Sequence, residues 1–66
     1  MNAATKQGFI DTIAAKIEEN EMIISQMEEN IAEGWMIEEA QEIIAEMVKE
    51  NKLIKDEAAK LGIFLV

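Results

Sequence analysis

Three glutamates with helical spacing are the first residues of this chain to consider for chemistry. Glu38, Glu42 and Glu46 are four positions apart, so a helix would place them on one face. Neighbouring carboxylates act as acid and base when burial separates their pKa values. The apolar residues of this segment occupy a different helical face, so we expect these glutamates to form a solvated acidic strip.

Other residue types that catalysis requires are scarce in this chain. The chain contains one serine, Ser25, and neither Cys nor His, so a serine nucleophile has no imidazole beside it. We expect Ser25 to cap a helix or lie exposed on one. The Glu-x-x-His pairs of carboxylate-bridged metal sites, an Asp-rich calcium loop and a glycine-rich phosphate loop are also missing from the sequence. We predict a protein that is not an enzyme, with no catalytic residue, metal site or cofactor.

The charge of the chain is strongly acidic and unevenly distributed. The formal net charge is −8, and ten acidic residues with no lysine lie between Ile17 and Val48. Such a field repels nucleic acids and anionic membranes and attracts basic surfaces. We therefore predict a basic protein surface as partner, and neither direct nucleic-acid binding nor membrane binding.

Length and composition predict one small helical domain spanning residues 1–66. Proline is absent, and Ala, Glu, Ile, Lys and Met dominate, which favours helix nearly throughout. A chain of 66 residues forms a small core, and without Cys the remaining sources of stability are regular helix packing and oligomerisation. The sequence shows neither an apolar run of membrane-spanning length nor the pattern of a signal peptide, so we expect a cytoplasmic protein.

Apolar residues recur with the period of a coiled coil in two stretches separated by Gly34. The stretches predict helices over about residues 4–33 and 37–61, folded back on each other as an antiparallel hairpin. If the chain reverses between Gly34 and Ile37, the two helices pair residue by residue. The numbers of two facing residues then add up to 71. The predicted layers are Ile10 with Leu61, Ile13 with Ala58, Ile17 with Ile54, Asn20 with Asn51, Ile24 with Met47, Met27 with Ile44, and Ile31 with Ala40.

Asn20 and Asn51 are the two polar residues of this pattern, and the hairpin pairs them. A buried polar pair in a coiled coil specifies register at some cost in stability. The alternative is that each Asn ends a helix, since Asn tolerates the left-handed backbone found there. That alternative gives a compact packing of four short helices with turns near Asn20, Gly34 and Asn51, and it buries Met22 and Leu53, which the hairpin leaves exposed.

The apolar face is wider than a single hairpin can cover. Beside the inward positions stand further apolar residues: Phe9, Ala14, Ile23, Met36, Ile43 and Val48. Two hairpins packed as a four-helix bundle would bury such a face. We therefore predict a homodimer.

Trp35 lies in the predicted turn among acidic residues and admits two interpretations. It packs back over Ile31 and Ile37, as large rings usually do, or it is an exposed anchor for a basic partner. Under the second interpretation the predicted partner-binding residues are Glu33, Trp35, Met36, Glu38, Glu39 and Glu42. The favoured function is a small acidic, non-catalytic interaction protein of the inhibitor or adaptor type. The alternatives are a structural scaffold that self-associates and an acidic mimic of nucleic acid.

Overall fold

The computed structural model describes residues 3–64, which form an antiparallel helical hairpin. Helix α1 spans Ala3–Ala32, helix α2 spans Ile37–Lys60, and the molecule measures 48 × 17 × 15 Å. The predicted hairpin is confirmed. The alternative of four short helices is wrong, because both helices continue without a break through Asn20 and Asn51. As a consequence Met22 and Leu53 are 69% and 54% exposed.

A hydrogen bond between the two asparagines fixes how the helices align. The side-chain amide Nδ2 of Asn20 donates to Oδ1 of Asn51 over 2.8 Å, and the two side chains are 0% and 8% exposed. This is the predicted Asn layer, near the middle of the hairpin. Because helix pairing places every other residue relative to this layer, the bond establishes the register of the whole molecule.

The core is a single file of side chains between the two helices. Ile17, Ala40 and Ala58 are buried together with the two asparagines, and the other residues of the predicted layers are half-buried except at one end. There Leu61, predicted to face Ile10, is exposed, and Ile63 is buried. The reason is that α2 ends at Lys60, so the chain turns before Leu61 can point inward. Leu65 and Val66 lie outside the described residues.

Each helix ends in the same backbone motif, built on a glycine. Gly34 and Gly62 have φ angles of 75° and 78°, which a residue without Cβ adopts at no steric cost. After α1, the Trp35 N–H donates to the Asn30 carbonyl over 2.8 Å and the Gly34 N–H donates to the Ile31 carbonyl over 3.0 Å. These two bonds define a Schellman motif, which satisfies carbonyl groups that the helix leaves unpaired.

The second helix has the same ending and a strained beginning. The N–H of Ile63 donates to the carbonyl of Ala58 over 2.9 Å, and burial of Ile63 adds the apolar residue typical of this motif. At the start of α2, Met36 occupies the cap position in the left-handed region, with φ 50° and ψ 48°, and its side chain makes no capping hydrogen bond. A side chain in this region costs about 1–2 kcal/mol.

The Asn pair also carries an energetic cost. Among the described residues, Oδ1 of Asn20 is buried without a hydrogen-bond partner. A buried polar atom left unpaired costs about 1–3 kcal/mol. The layer therefore sets the register while lowering stability.

The two asparagines should respond differently to replacement by leucine. Asn51→Leu leaves the fully buried Asn20 amide without a partner, and we expect a loss of about 1–3 kcal/mol in the free energy of unfolding. Asn20→Leu removes the unpaired oxygen and leaves Asn51, which retains some contact with solvent, so the loss should be smaller. The double replacement should match or exceed the wild-type stability. Urea unfolding of the three variants measures these differences, and equal losses in both single variants would refute the assigned donor and acceptor.

Relief of the strain at Met36 should stabilise the hairpin. Met36→Gly permits the left-handed backbone without a Cβ clash, and we expect the free energy of unfolding to rise by about 1 kcal/mol. Met36→Ala is the matched control, because it shortens the side chain equally at an exposed position and retains the Cβ. Thermal and urea unfolding should show the gain for glycine and none for alanine. A similar shift in both variants would mean that the side chain, not the backbone, determines the effect.

Candidate functional site

The turn between the helices presents apolar side chains at one extreme of the molecule. The Schellman motif at Gly34 holds the Trp35 backbone, and Met36 then redirects the chain into α2. Trp35 is 60% exposed, and Met36 and Ile37 are 48% and 42% exposed. The interpretation in which the ring of Trp35 packs back and buries itself is therefore wrong. A two-helix layer is too narrow at its end to provide a surface for so large a ring.

Exposed carboxylates surround these apolar residues. Glu33 precedes Gly34, and Glu38 and Glu39 occupy the first turn of α2. Glutamates in that turn interact favourably with the positive end of the helix dipole. Acidic residues at these positions therefore also stabilise α2. Glu42 lies one turn further along α2 and is exposed as well. We refer to Glu33, Trp35, Met36, Glu38, Glu39 and Glu42 as the acidic tip.

Folding converts the uneven charge of the sequence into an end-to-end asymmetry. Residues 21–50, which include the turn, form the turn half, and the remaining residues form the open half. The turn half contains nine acidic residues and one lysine, whereas the open half contains five of each. The net charge of −8 therefore belongs entirely to the turn half. The Asn layer lies at the boundary between the two halves.

Ion pairs form on the lysine-containing side of the molecule. Nζ of Lys16 on α1 lies 3.7 Å from a carboxylate oxygen of Glu50 on α2. Lys60 hydrogen-bonds Glu57 over 3.0 Å, and that bond raises the pKa of Lys60 above its ordinary value. Both pairs are well exposed, so their contribution to stability is small. The Lys16–Glu50 pair joins the two halves, and the Lys60–Glu57 pair lies within the open half.

The structure brings the six predicted partner-binding residues to one end of the molecule. Among residues 3–64, no group of three or more His, Cys, Asp or Glu side chains is arranged to hold a metal ion. Neither described helix contains the continuous apolar stretch that crossing a membrane requires. Comparisons with protein-family models, with curated proteins and with solved structures gave no match.

Sequence reasoning missed a second exposed apolar region at the open end. Phe9, Leu53, Leu61 and Phe64 are exposed there, with Phe64 almost entirely in solvent. Leu53 was the available signal, since it stood outside the apolar pattern of the hairpin. The exposure of Leu61 could not be predicted from the sequence pattern, because it depends on where α2 ends.

The environment of Trp35 predicts its response to charged quenchers. Trp35 is the sole tryptophan of the chain, so its fluorescence reports on the acidic tip directly. The surrounding carboxylates should concentrate caesium ions and exclude iodide, giving quenching by caesium severalfold more efficient relative to free tryptophan amide. High salt should remove the difference. Weak quenching by both ions would show a shielded ring and contradict the exposed tip.

Proposed function

We propose that this protein is a non-catalytic interaction protein that binds a basic protein surface through its acidic tip. The observation that carries the proposal is the exposed tryptophan at the end of a half-molecule with a net charge of −8. Trp35, Met36 and Ile37 are exposed side by side, and contiguous exposed apolar residues rimmed by polar ones mark interaction sites. The surrounding charge selects the kind of partner.

The apolar residues and the carboxylates have complementary roles in such binding. Carboxylates spread over the turn half attract a basic partner at distances up to about a Debye length, ~8 Å at physiological salt, and accelerate encounter. Burial of Trp35 then provides affinity, since an aromatic anchor at the centre of an interface contributes roughly 2–4 kcal/mol. Met36 beside it supplies a flexible side chain that adapts to the partner's surface.

The rigidity of the turn supports this role. Hydrogen bonds from Gly34 and Trp35 to α1 and the cap position of Met36 leave the tip little backbone freedom. A preformed site loses less entropy on binding than a disordered one. The left-handed Met36 is a local strain of the kind that is retained where a particular geometry is needed.

Affinity capture with matched variants tests the proposal. The wild-type protein and three variants are immobilised and exposed to lysate of the source cells at low and high salt. Trp35→Ala removes the anchor, and Glu38→Lys with Glu42→Lys reverses charge at the tip. Asp11→Lys with Asp56→Lys is the control, because it makes the same change in charge on exposed residues of the open half.

We expect both tip variants to retain a wild-type partner at least about tenfold less well, consistent with a lost hot spot. The control should retain it, and high salt should release it. Capture that survives both tip changes would contradict the proposal. A partner that is insensitive to Trp35→Ala but is displaced by a short DNA duplex would instead identify the protein as a nucleic-acid mimic, which uses charge along the helices and needs no anchor.

A further inference from the structure

The large apolar residues outside the core lie mostly on one long side of the hairpin. The residues that immediately precede inward positions lie on this side, where Lys16 meets Glu50 across the helices and where Phe9 and Leu53 line a common groove. The apolar residues of this side, named here the apolar flank, are Phe9, Ile23, Met36, Ile43 and Leu53. The same side also carries polar residues: Thr12, Lys16, Glu19, Gln26, Asn30, Glu39, Glu46, Glu50, Glu57 and Lys60. Among the described residues of the opposite side, Val48 is the one large apolar residue, and the others are polar residues or alanines.

The single chain covers the apolar flank only in part. Ile23 and Ile43 are half-buried, whereas Phe9, Met36 and Leu53 are 37%, 48% and 54% exposed. At the open end the flank widens into a groove of about 570 Å³ lined by Phe9, Ile13, Leu53, Ile54, Glu57, Ala58, Lys60 and Leu61. In a four-helix bundle, the apolar residues of each helix extend from the inward positions to one neighbouring side, where the next pair of helices packs.

The elongated chain, 48 × 17 × 15 Å, exposes more surface than a compact protein of its mass. Its accessible surface is 4992 Å², whereas a compact protein of the same mass, 7.4 kDa, exposes about 4200 Å². The excess of roughly 800 Å² is about the area that one partner contributes to a standard stable interface. The radius of gyration of 14.6 Å likewise exceeds the ~11 Å of a compact chain of this length.

Charge determines how a second copy can approach. A parallel arrangement places the two turn halves side by side, each with a charge of −8, and they repel. An antiparallel arrangement places each turn half beside the neutral open half of the other copy. On this side Lys16 and Glu50 neutralise each other, and Lys60 pairs with Glu57. Glu19, Glu39 and Glu46 are exposed on the same side, and the packed copy must leave them in solvent.

We propose that a second copy of this chain packs antiparallel on the apolar flank, giving a four-helix dimer with an acidic tip at each end. The occupant is a copy and not a basic partner, because the flank offers exposed large apolar side chains and the excess area is about that of one interface. This arrangement leaves Trp35 of each copy exposed at opposite ends. It is independent of the proposed function, since either interaction can be lost without the other.

Sedimentation equilibrium with two matched variants tests the flank. Leu53→Lys adds a charge on the flank, and Met22→Lys makes the same kind of change on an exposed residue of the outer face of α1. We expect wild type and Met22→Lys to have twice the mass of the 7.4 kDa chain. Leu53→Lys should dissociate at least tenfold more readily.

Circular dichroism accompanies the measurement. Because Leu53 is largely exposed in the single chain, the variant monomer should keep its helical signal. A wild-type protein that stays monomeric at every concentration would overturn the proposal. The proposal would also be overturned if both lysine variants weakened the dimer equally, or if neither variant weakened it.

Spin labels test the orientation without any change to the flank. The chain has no Cys, so Ala32→Cys introduces one attachment site at the exposed end of α1 near the turn. In the antiparallel dimer the two labels lie at opposite ends, separated by roughly 40 Å, close to the length of a 30-residue helix at ~1.5 Å per residue. A measured separation below about 25 Å would show parallel copies and refute the proposed arrangement.

Discussion

The hydrogen bond between Asn20 and Asn51 is the constraint on which the rest of the structure depends. A slip of one heptad would place Asn20 opposite Ile44 or Ala58 and leave two buried amides unpaired. Each unpaired group costs about 1–3 kcal/mol, which is a large penalty for a domain of this size. The apolar residues alone discriminate weakly between registers, because isoleucine and methionine recur in most layers.

The register in turn determines the functional geometry. With the Asn layer near the midpoint, the lysines of α2 return alongside the first half of α1 and neutralise its acids, and the acids around the turn remain uncompensated. The same alignment places Phe9 near Leu53 and Ile23 on the same side as Ile43. One polar layer thereby establishes both a charged end, for which we propose a basic partner, and an apolar side, for which we propose a second copy.

Much of this fold could be predicted because the sequence repeats a simple pattern. The heptad spacing of apolar residues predicted both helices, Gly34 predicted the turn, and equal distances from that turn predicted that Asn20 meets Asn51. The exposure of Trp35 was not predictable from spacing, because it depends on whether the end of the hairpin offers a surface for the ring. The left-handed backbone of Met36 arises from the turn geometry. It was not predictable from the sequence, because methionine has no preference for that conformation.

The apolar residues outside the stripe show a further limit of sequence reasoning. Phe9, Ile23 and Ile43 were grouped with Ala14 and Val48 as one wide face, but positions before and after an inward residue lie on opposite sides of an antiparallel pair. Only the helix pairing reveals that most apolar residues share one side. The candidate tip was predicted residue by residue, whereas the flank required the three-dimensional arrangement.

Nuclear magnetic resonance of the side-chain amides tests the central claim most directly. In a 15N-labelled sample, the Asn20 side-chain amide protons should exchange slowly with solvent and show nuclear Overhauser effects to Asn51, because the group is 0% exposed and donates across the helices. The side-chain amides of the three exposed glutamines, Gln7, Gln26 and Gln41, should exchange rapidly in the same spectrum. Rapid exchange of the Asn20 amide, with no Overhauser effect to Asn51, would contradict the account.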